Sequence, residues 1–286
     1  MQKLVRFAAI GALFTMLLVG CQSNTQRKNY FIDRGTYMVE NHYRAQGSDE
    51  RIRFLFFHYT AEDFNSALKT LTDENVSAHY LVPADPPQKD GKYVVWQLVP
   101  EYQRAWHAGA SAWRGRTNLN DTSIGIEIEN KGYQENILGR IWSPYNAQQT
   151  ELVIALSEDI VRRYSILPQN VVGHMDIAPH RKLDPGPLFP WKKLYEHGIG
   201  AWPDQATVHK YLAMRAKDEP VDLLKLQNKL VAYGYSIEAN RTNDIESHSI
   251  IAAFQMHFRP ADFRGLPDAE TEAIADALLE KYGSNP

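Results

Sequence analysis

His174 stands at the end of the short apolar run Val171-Val172-Gly173, and a carboxylate, Asp184, follows ten residues later. Between them lies a basic loop broken by Pro179 and closed by Asp184-Pro185-Gly186-Pro187. Two such ligands at opposite ends of a stiff loop can close on one metal ion. A third must come from elsewhere, and His58, at the end of the apolar run 52–57, is the candidate. A catalytic zinc takes three protein ligands and keeps one position for water. Two histidines and a carboxylate favour zinc among common metals, although non-haem iron takes the same set. Zinc is preferred because Glu127 and Lys182 suit hydrolysis and no oxygen-activating partner is evident. Spacing alone does not select this triple. The chain has 10 histidines, and His79, His107, His180, His197, His209, His248 and His257 compete for the same roles.

The elements that must hold these groups follow from periodicity. Residues 52–57, 77–82, 93–99, 123–129 and 171–173 read as strands. The turn Asp90-Gly91 favours a hairpin between the second and third of these. Along 123–129, strict alternation puts Glu127 and Glu129 on one face and Ile126 and Ile128 on the other. Asn146 is a good N-cap, with Gln149 three residues on. Leu152, Leu156, Ile160 and Tyr164 then recur every four residues, predicting a helix that ends before Pro168. Strands interleaved with helices imply an α/β domain, a mixed central β-sheet flanked by helices. It is expected over 51–212, with a charged linker at 213–220 ending in Pro220. Three helical patterns follow at 223–233, 247–258 and 268–282. They make a small C-terminal three-helix domain over 221–286, near the lower size limit for a domain standing alone.

The 286 residues are 44% hydrophobic and 23% charged, a globular balance. A formal charge of -3 gives no reason to expect a nucleic-acid partner. Residues 1–20 differ: Lys3 and Arg6 precede an apolar stretch that is short for a membrane span and reads as a secretory signal. Its end, Leu18-Val19-Gly20-Cys21, resembles the bacterial lipobox, in which the cysteine is acylated and becomes the mature N-terminus. Cys21 is the single cysteine, so no intrachain disulfide can form. Residues 21–50 read as a polar tether and lead-in. By resemblance to enterobacterial lipoproteins, Gln22 rather than Asp after the cysteine implies sorting to the outer membrane, facing the periplasm.

Five blocks stand in order: Phe56-Phe57-His58-Tyr59-Thr60, Ser77-Ala78-His79-Tyr80, Ala105-Trp106-His107-Ala108-Gly109, Asn120 to Glu127, and Gly173 to Pro187. Together they resemble the zinc-dependent N-acetylmuramoyl-L-alanine amidase family (amidase type 2), which is related to phage amidases and animal peptidoglycan recognition proteins. The resemblance implies that fold, one zinc ion per chain, and His58, His174 and Asp184 as its ligands. It implies Glu127 as the catalytic glutamate, a choice that spacing leaves open between Glu127 and Glu129. It makes Lys182 the catalytic lysine and leaves Arg181 an ordinary surface residue. Leu183 stands where the family commonly has a polar residue, at a non-ligand position. The tail, with Leu226-Gln227-Asn228-Lys229-Leu230, Ala253 to Phe258 and Asp268-Ala269-Glu270-Thr271, resembles a three-helix peptidoglycan-binding domain. It departs from that pattern at Glu238 to Arg241, where a glycine-rich stretch is usual.

The implied reaction is hydrolysis of the amide between the lactyl group of N-acetylmuramic acid and L-Ala of the stem peptide, in peptidoglycan or muropeptides. Glu127 would move the proton of a zinc-activated water, and Lys182 would meet the oxyanion. His79 and His107 are candidates for contacts behind the ligands or to substrate. Trp106, Trp113 and Tyr133 could line a groove, although aromatics at that density more often form core. The competing readings are a non-catalytic peptidoglycan receptor and a zinc endopeptidase of the stem peptide. The first needs a broken ligand set, whereas all three ligand positions are intact.

Overall fold

The computed structural model describes residues 30–137, 139–240, 242 and 244–283. The secretory segment expected over 1–20 and the lipidation candidate Cys21 lie outside the described residues. The described residues fall into two compact units, divided between residues 49 and 50. In the first, within the stretch expected to be a tether, β1 (Phe31–Asp33) and β2 (Met38–Glu40) pair antiparallel, with Ile32 opposite Val39.

The second unit is built on a five-stranded sheet. Its strands are β3 (Phe54–Tyr59), β4 (Tyr80–Val82), β7 (Trp96–Gln97), β10 (Ser123–Ile128) and β13 (Val171–Gly173), in the order β13-β3-β10-β4-β7. All neighbours are parallel except β7, which runs antiparallel to β4. Strand β3 lies inside the sheet with both faces covered, which is why its sequence is a continuous apolar run. Phe54, Leu55, Phe56 and Phe57 are all buried, each stabilising the fold by roughly 1.5–3 kcal/mol. Three two-stranded ladders decorate this frame: β5 (Gln88–Lys89) with β6 (Lys92–Tyr93), β8 (Ala112–Trp113) with β9 (Arg116–Thr117), and β11 (Tyr133–Asn136) with β12 (Gly139–Trp142).

The expected strand over 93–99 is shorter than its apolar content implied. A two-residue turn pairs the residues that flank it directly. Asp90-Gly91 therefore closes β5 on β6 and does not bridge the longer strands. Tyr80 still faces Gln97 across β4 and β7.

The helices are α1 (Phe64–Leu71), α2 (Ala147–Tyr164), α3 (His174–Ile177), α4 (Trp191–Glu196), α5 (Gln205–Leu212), α6 (Leu223–Tyr233), α7 (Ile245–Phe258) and α8 (Ala269–Tyr282). Asn146, Asp222, Asp244 and Asp268 each accept a backbone N–H from the first turn of α2, α6, α7 and α8 respectively. The mixed sheet with flanking helices and a helical C-terminal region is the expected fold class. Helices α6 to α8 share one continuous core with the sheet, in which Trp113 meets Tyr235 edge-on at 4.9 Å. A buried fork from Arg259 to Asp268, at 2.9 and 2.8 Å, joins the end of α7 to the cap of α8.

Candidate functional site

Parallel pairing of β3 with β10 sets His58 beside Glu127, and pairing of β3 with β13 sets Phe57 beside Gly173, one residue before His174. Three strand ends thus deliver their polar residues to one crevice. The loop after α3 returns Asp184 to the same place, tied by Met175 N–H donating to the Asp184 carbonyl at 2.8 Å. Close approach is possible because residue 173 is glycine: a Cβ there would lie 2.5 Å from Pro185 Cδ. The Asp184–Pro185 peptide bond is cis.

The three candidate ligands converge. His58 Nδ1 lies 3.0 Å from His174 Nδ1 and 3.1 Å from Asp184 Oδ2, and His174 Nδ1 lies 3.0 Å from Asp184 Oδ2. Among the described residues this is the one group of three or more His, Cys, Asp or Glu side chains placed to hold a metal ion. A four-coordinate cation with donors at about 2.0–2.1 Å sets them about 3.3 Å apart, so the triangle fits one with slight expansion. Burial lowers the His58 imidazole to about 4, opposed in part by its hydrogen bond to Asp184. It is therefore neutral near pH 7 and offers a lone pair. Burial pushes the Asp184 carboxyl up, but His174 and His58, which are charged and donate to it when protonated, outweigh burial and hold it below the usual range.

The far sides of both rings are fixed. His174 Nε2–H donates to the Ala108 carbonyl at 3.2 Å, leaving Nδ1 bare toward the triad. His58 Nε2–H reaches His107 Nδ1 at 3.1 Å, and His107 Nε2 lies 3.3 Å from Ser123 Oγ. The His107 ring lies so close to β10 that a Cβ on residue 125 would lie 2.5 Å from it, which requires Gly125. His79 sits one step further back, accepting from Gly125 N–H and meeting the Gln103 carbonyl. Such contacts hold a ring's tautomer and orientation.

Glu127 lies in β10 and Glu129 just past its end, and their contacts differ. Glu129 accepts the Phe64 N–H at 2.9 Å and the Ala84 N–H at 2.6 Å, and so is committed to the start of α1 and the loop after β4. Glu127 borders the crevice, and its buried Oε2 has no hydrogen-bond partner. Burial, with the negative charge of Asp184, pushes its carboxyl up to about 8, against the pull of Lys182. The cavity holds about 350 Å³. Besides the triad's His174 and Asp184, it is lined by Glu127, Lys182, Trp106 and Tyr133. Trp113 instead is core, with Nε1–H donating to the Gln169 carbonyl.

Arg181 is not the ordinary surface residue expected. Its guanidinium donates to the carbonyls of Ala108, at 2.6 Å, and Ala110, at 2.7 Å. It thereby clamps the loop whose Ala108 carbonyl orients His174. Its neighbours in sequence carry no sign of this, because the acceptors are backbone atoms over seventy residues away.

A buried, cation-ready triad beside an unpartnered carboxyl in a cavity is equipped for metal-assisted hydrolysis. The sequence profile of the N-acetylmuramoyl-L-alanine amidase family matches residues 48–187. The chain is 52% identical over 270 residues to the N-acetylmuramoyl-L-alanine amidase AmiD of Escherichia coli K12, covering 94% of this chain and 96% of that one. The structure of the E. coli AmiD complex with anhydro-N-acetylmuramic acid-L-Ala-D-gamma-Glu-L-Lys superimposes with a TM-score of 0.86 at 53% identity, covering 90% and 99% of the two chains. AmpDh3 of Pseudomonas aeruginosa, in complex with an anhydromuramic pentapeptide, gives 0.76 at 42% identity, covering 88% and 98%.

Proposed function

The chain belongs to the N-acetylmuramoyl-L-alanine amidase family, and from that premise we propose how its residues perform the reaction. It is an amide hydrolase that cuts between the lactyl group of N-acetylmuramic acid and L-Ala of the stem peptide, with muropeptides or peptidoglycan as substrate. His58, His174 and Asp184 hold one zinc ion. When bound, the ion supplies Lewis acidity, which polarises a carbonyl and brings water near ionisation at a pKa of about 7.

Glu127 takes the proton of the attacking water at its free Oε2 and returns it to the leaving nitrogen. A carboxyl raised toward neutrality suits a group that must act first as base and then as acid. Lys182 donates to the oxygen where negative charge develops. Trp106 and Tyr133, on the cavity wall, give the substrate apolar faces to lie against. The observation that carries this reading is the triad, with three donor atoms 3.0–3.1 Å apart and Glu127 on the wall of the same cavity.

Incubating the purified protein with an anhydromuramyl tripeptide and identifying the products by mass spectrometry tests it. Free peptide beginning at L-Ala is expected, and cleavage within the peptide would replace the amidase by an endopeptidase. Binding without cleavage would favour a receptor.

The chain's own leader supports a location. Residues 1–20 direct export and Cys21 is acylated; each methylene that its acyl chains bury adds about 0.8 kcal/mol of membrane affinity. Gln22 sends the lipoprotein to the outer membrane, facing the periplasm. Cys21→Ser should release the protein into the soluble periplasmic fraction; retention in the membrane would refute the anchor. The C-terminal helices add affinity for the wall, tested by co-sedimentation with purified sacculi.

A further inference from the structure

Two residues beyond His174, Asp176 is fully buried and plays no part in the hydrolytic steps. Three donors meet its carboxylate. Gly173 N–H reaches Oδ2 at 2.7 Å, His257 Nδ1–H reaches Oδ2 at 2.8 Å, and the Tyr235 hydroxyl reaches Oδ1 at 2.5 Å. The first contact closes α3 on itself, tying the residue before His174 to the residue two after it. The other two come from the C-terminal region, Tyr235 just after α6 and His257 on α7.

Both of these donors are themselves held. His257 stacks on Trp191 at 3.7 Å with 17° between planes, and on Phe258 at 4.0 Å. Tyr235 lies against Trp113 and Phe254. A four-residue helix has almost no cooperative stability of its own. The position of α3 is therefore set from outside, and the Asp176 carboxylate is where it is gripped.

That grip reaches two of the three candidate ligands. His174 is the first residue of α3, bracketed by the Gly173–Asp176 hydrogen bond. Asp184 hangs on the same turn through Met175 N–H and through the packing of Pro185 on Gly173. A shift of α3 would move His174 and Asp184 relative to His58, which is anchored separately on β3. Metal sites tolerate only about 0.5 Å of such misplacement.

We propose that Asp176, Tyr235 and His257 are positioning residues of the metal site, through which the C-terminal helices set the affinity of the His58–His174–Asp184 triad for its cation. The proposal rests on the zinc reading of that triad. Groups behind a metal ligand cost about 10–100-fold in metal affinity when removed.

The test measures the zinc dissociation constant, by competition with a chromophoric chelator, for the unmodified protein, Tyr235→Phe, His257→Gln and Tyr282→Phe. Tyr235→Phe keeps the ring and its packing and loses only the hydroxyl, so it reports even where His257→Gln fails to fold. Tyr282→Phe removes a hydroxyl bonded to the Trp202 backbone, in the same region but away from Asp176. Tyr235→Phe and His257→Gln should each raise the constant about 10-fold, and Tyr282→Phe should leave it unchanged. An unchanged constant in Tyr235→Phe, or an equal rise in Tyr282→Phe, would overturn the proposal while leaving the zinc site standing. Failure of the unmodified protein to bind zinc would instead remove the zinc reading, and this proposal with it.

Discussion

Two polar clusters lie back to back across the four residues of α3, and they are opposite in kind. On one side, His58, His174 and Asp184 bring three electron-pair donors within 3.0–3.1 Å of one another. On the other, Asp176 receives three hydrogen-bond donors. In the second, both carboxylate oxygens of Asp176 meet a donor, while the far nitrogen of His257, Nε2, is buried without a partner. The first brings together three atoms that can each offer a lone pair to one cation. Buried polar groups that satisfy one another are structural, whereas three convergent lone pairs can close on one cation.

The sharpest way to break this contrast is to remove a member of the first cluster. His174→Ala should abolish zinc binding and stem-peptide release while leaving the circular dichroism spectrum of a folded chain, since outside the triad the His174 ring meets the Ala108 carbonyl and the Arg181 guanidinium, which bond each other directly. Surviving activity would show the ligand assignment to be wrong.

Glu127→Gln separates the metal from the proton. It should retain zinc and lose about 10²–10⁴-fold in kcat. The sign of the pH dependence follows from the carboxyl: only the ionised form accepts a proton, so kcat/KM falls as pH falls. Burial and Asp184 push the Glu127 carboxyl up to about 8, and a bound cation would pull it lower. The acid limb should therefore have its midpoint below that value in the unmodified enzyme and vanish in Glu127→Gln.

Lys182→Met should cost about 10²–10³-fold in kcat with little change in zinc affinity. Loss of zinc instead would make Lys182 part of the site's architecture.

The smallest effect belongs to a satisfied cluster remote from the cavity. Glu101 accepts from Tyr80 at 2.6 Å, Tyr164 at 2.7 Å and Arg163 at 2.7 Å. Burial raises its carboxyl, but these hydrogen bonds, Arg163's foremost, outweigh it and bring it down to about 2. A carboxyl depressed in the folded state stabilises it above the unfolded value, near 4.5, and that stability is lost as pH falls toward 2. The thermal midpoint of Glu101→Gln should fall less steeply than that of the unmodified protein across this window; parallel curves would contradict the linkage.

What could be read from the sequence divides along the same line. β3 and β13 were legible because buried parallel strands are apolar throughout, β10 because its residues alternate, and α2 because a cap precedes a clear period. The neighbourhood of the candidate ligands was legible as ordered motifs. The choice between Glu127 and Glu129 was not a matter of periodicity, since both point the same way. It is decided by the backbone amides of Phe64 and Ala84, which occupy Glu129. Arg181 was hidden for a similar reason: its partners are backbone carbonyls brought near only by the fold. The three C-terminal helices were visible, but what they pack against was not, because nothing in the spacing of Tyr235 or His257 points to Asp176.

The most direct measurement titrates zinc into chelator-stripped protein while stem-peptide release from an anhydromuramyl tripeptide is followed. Activity should start near zero, rise in proportion to added zinc and level off at one equivalent per chain. Full activity in the stripped protein, or no recovery on adding zinc, would contradict the claim that the triad is completed by a cation.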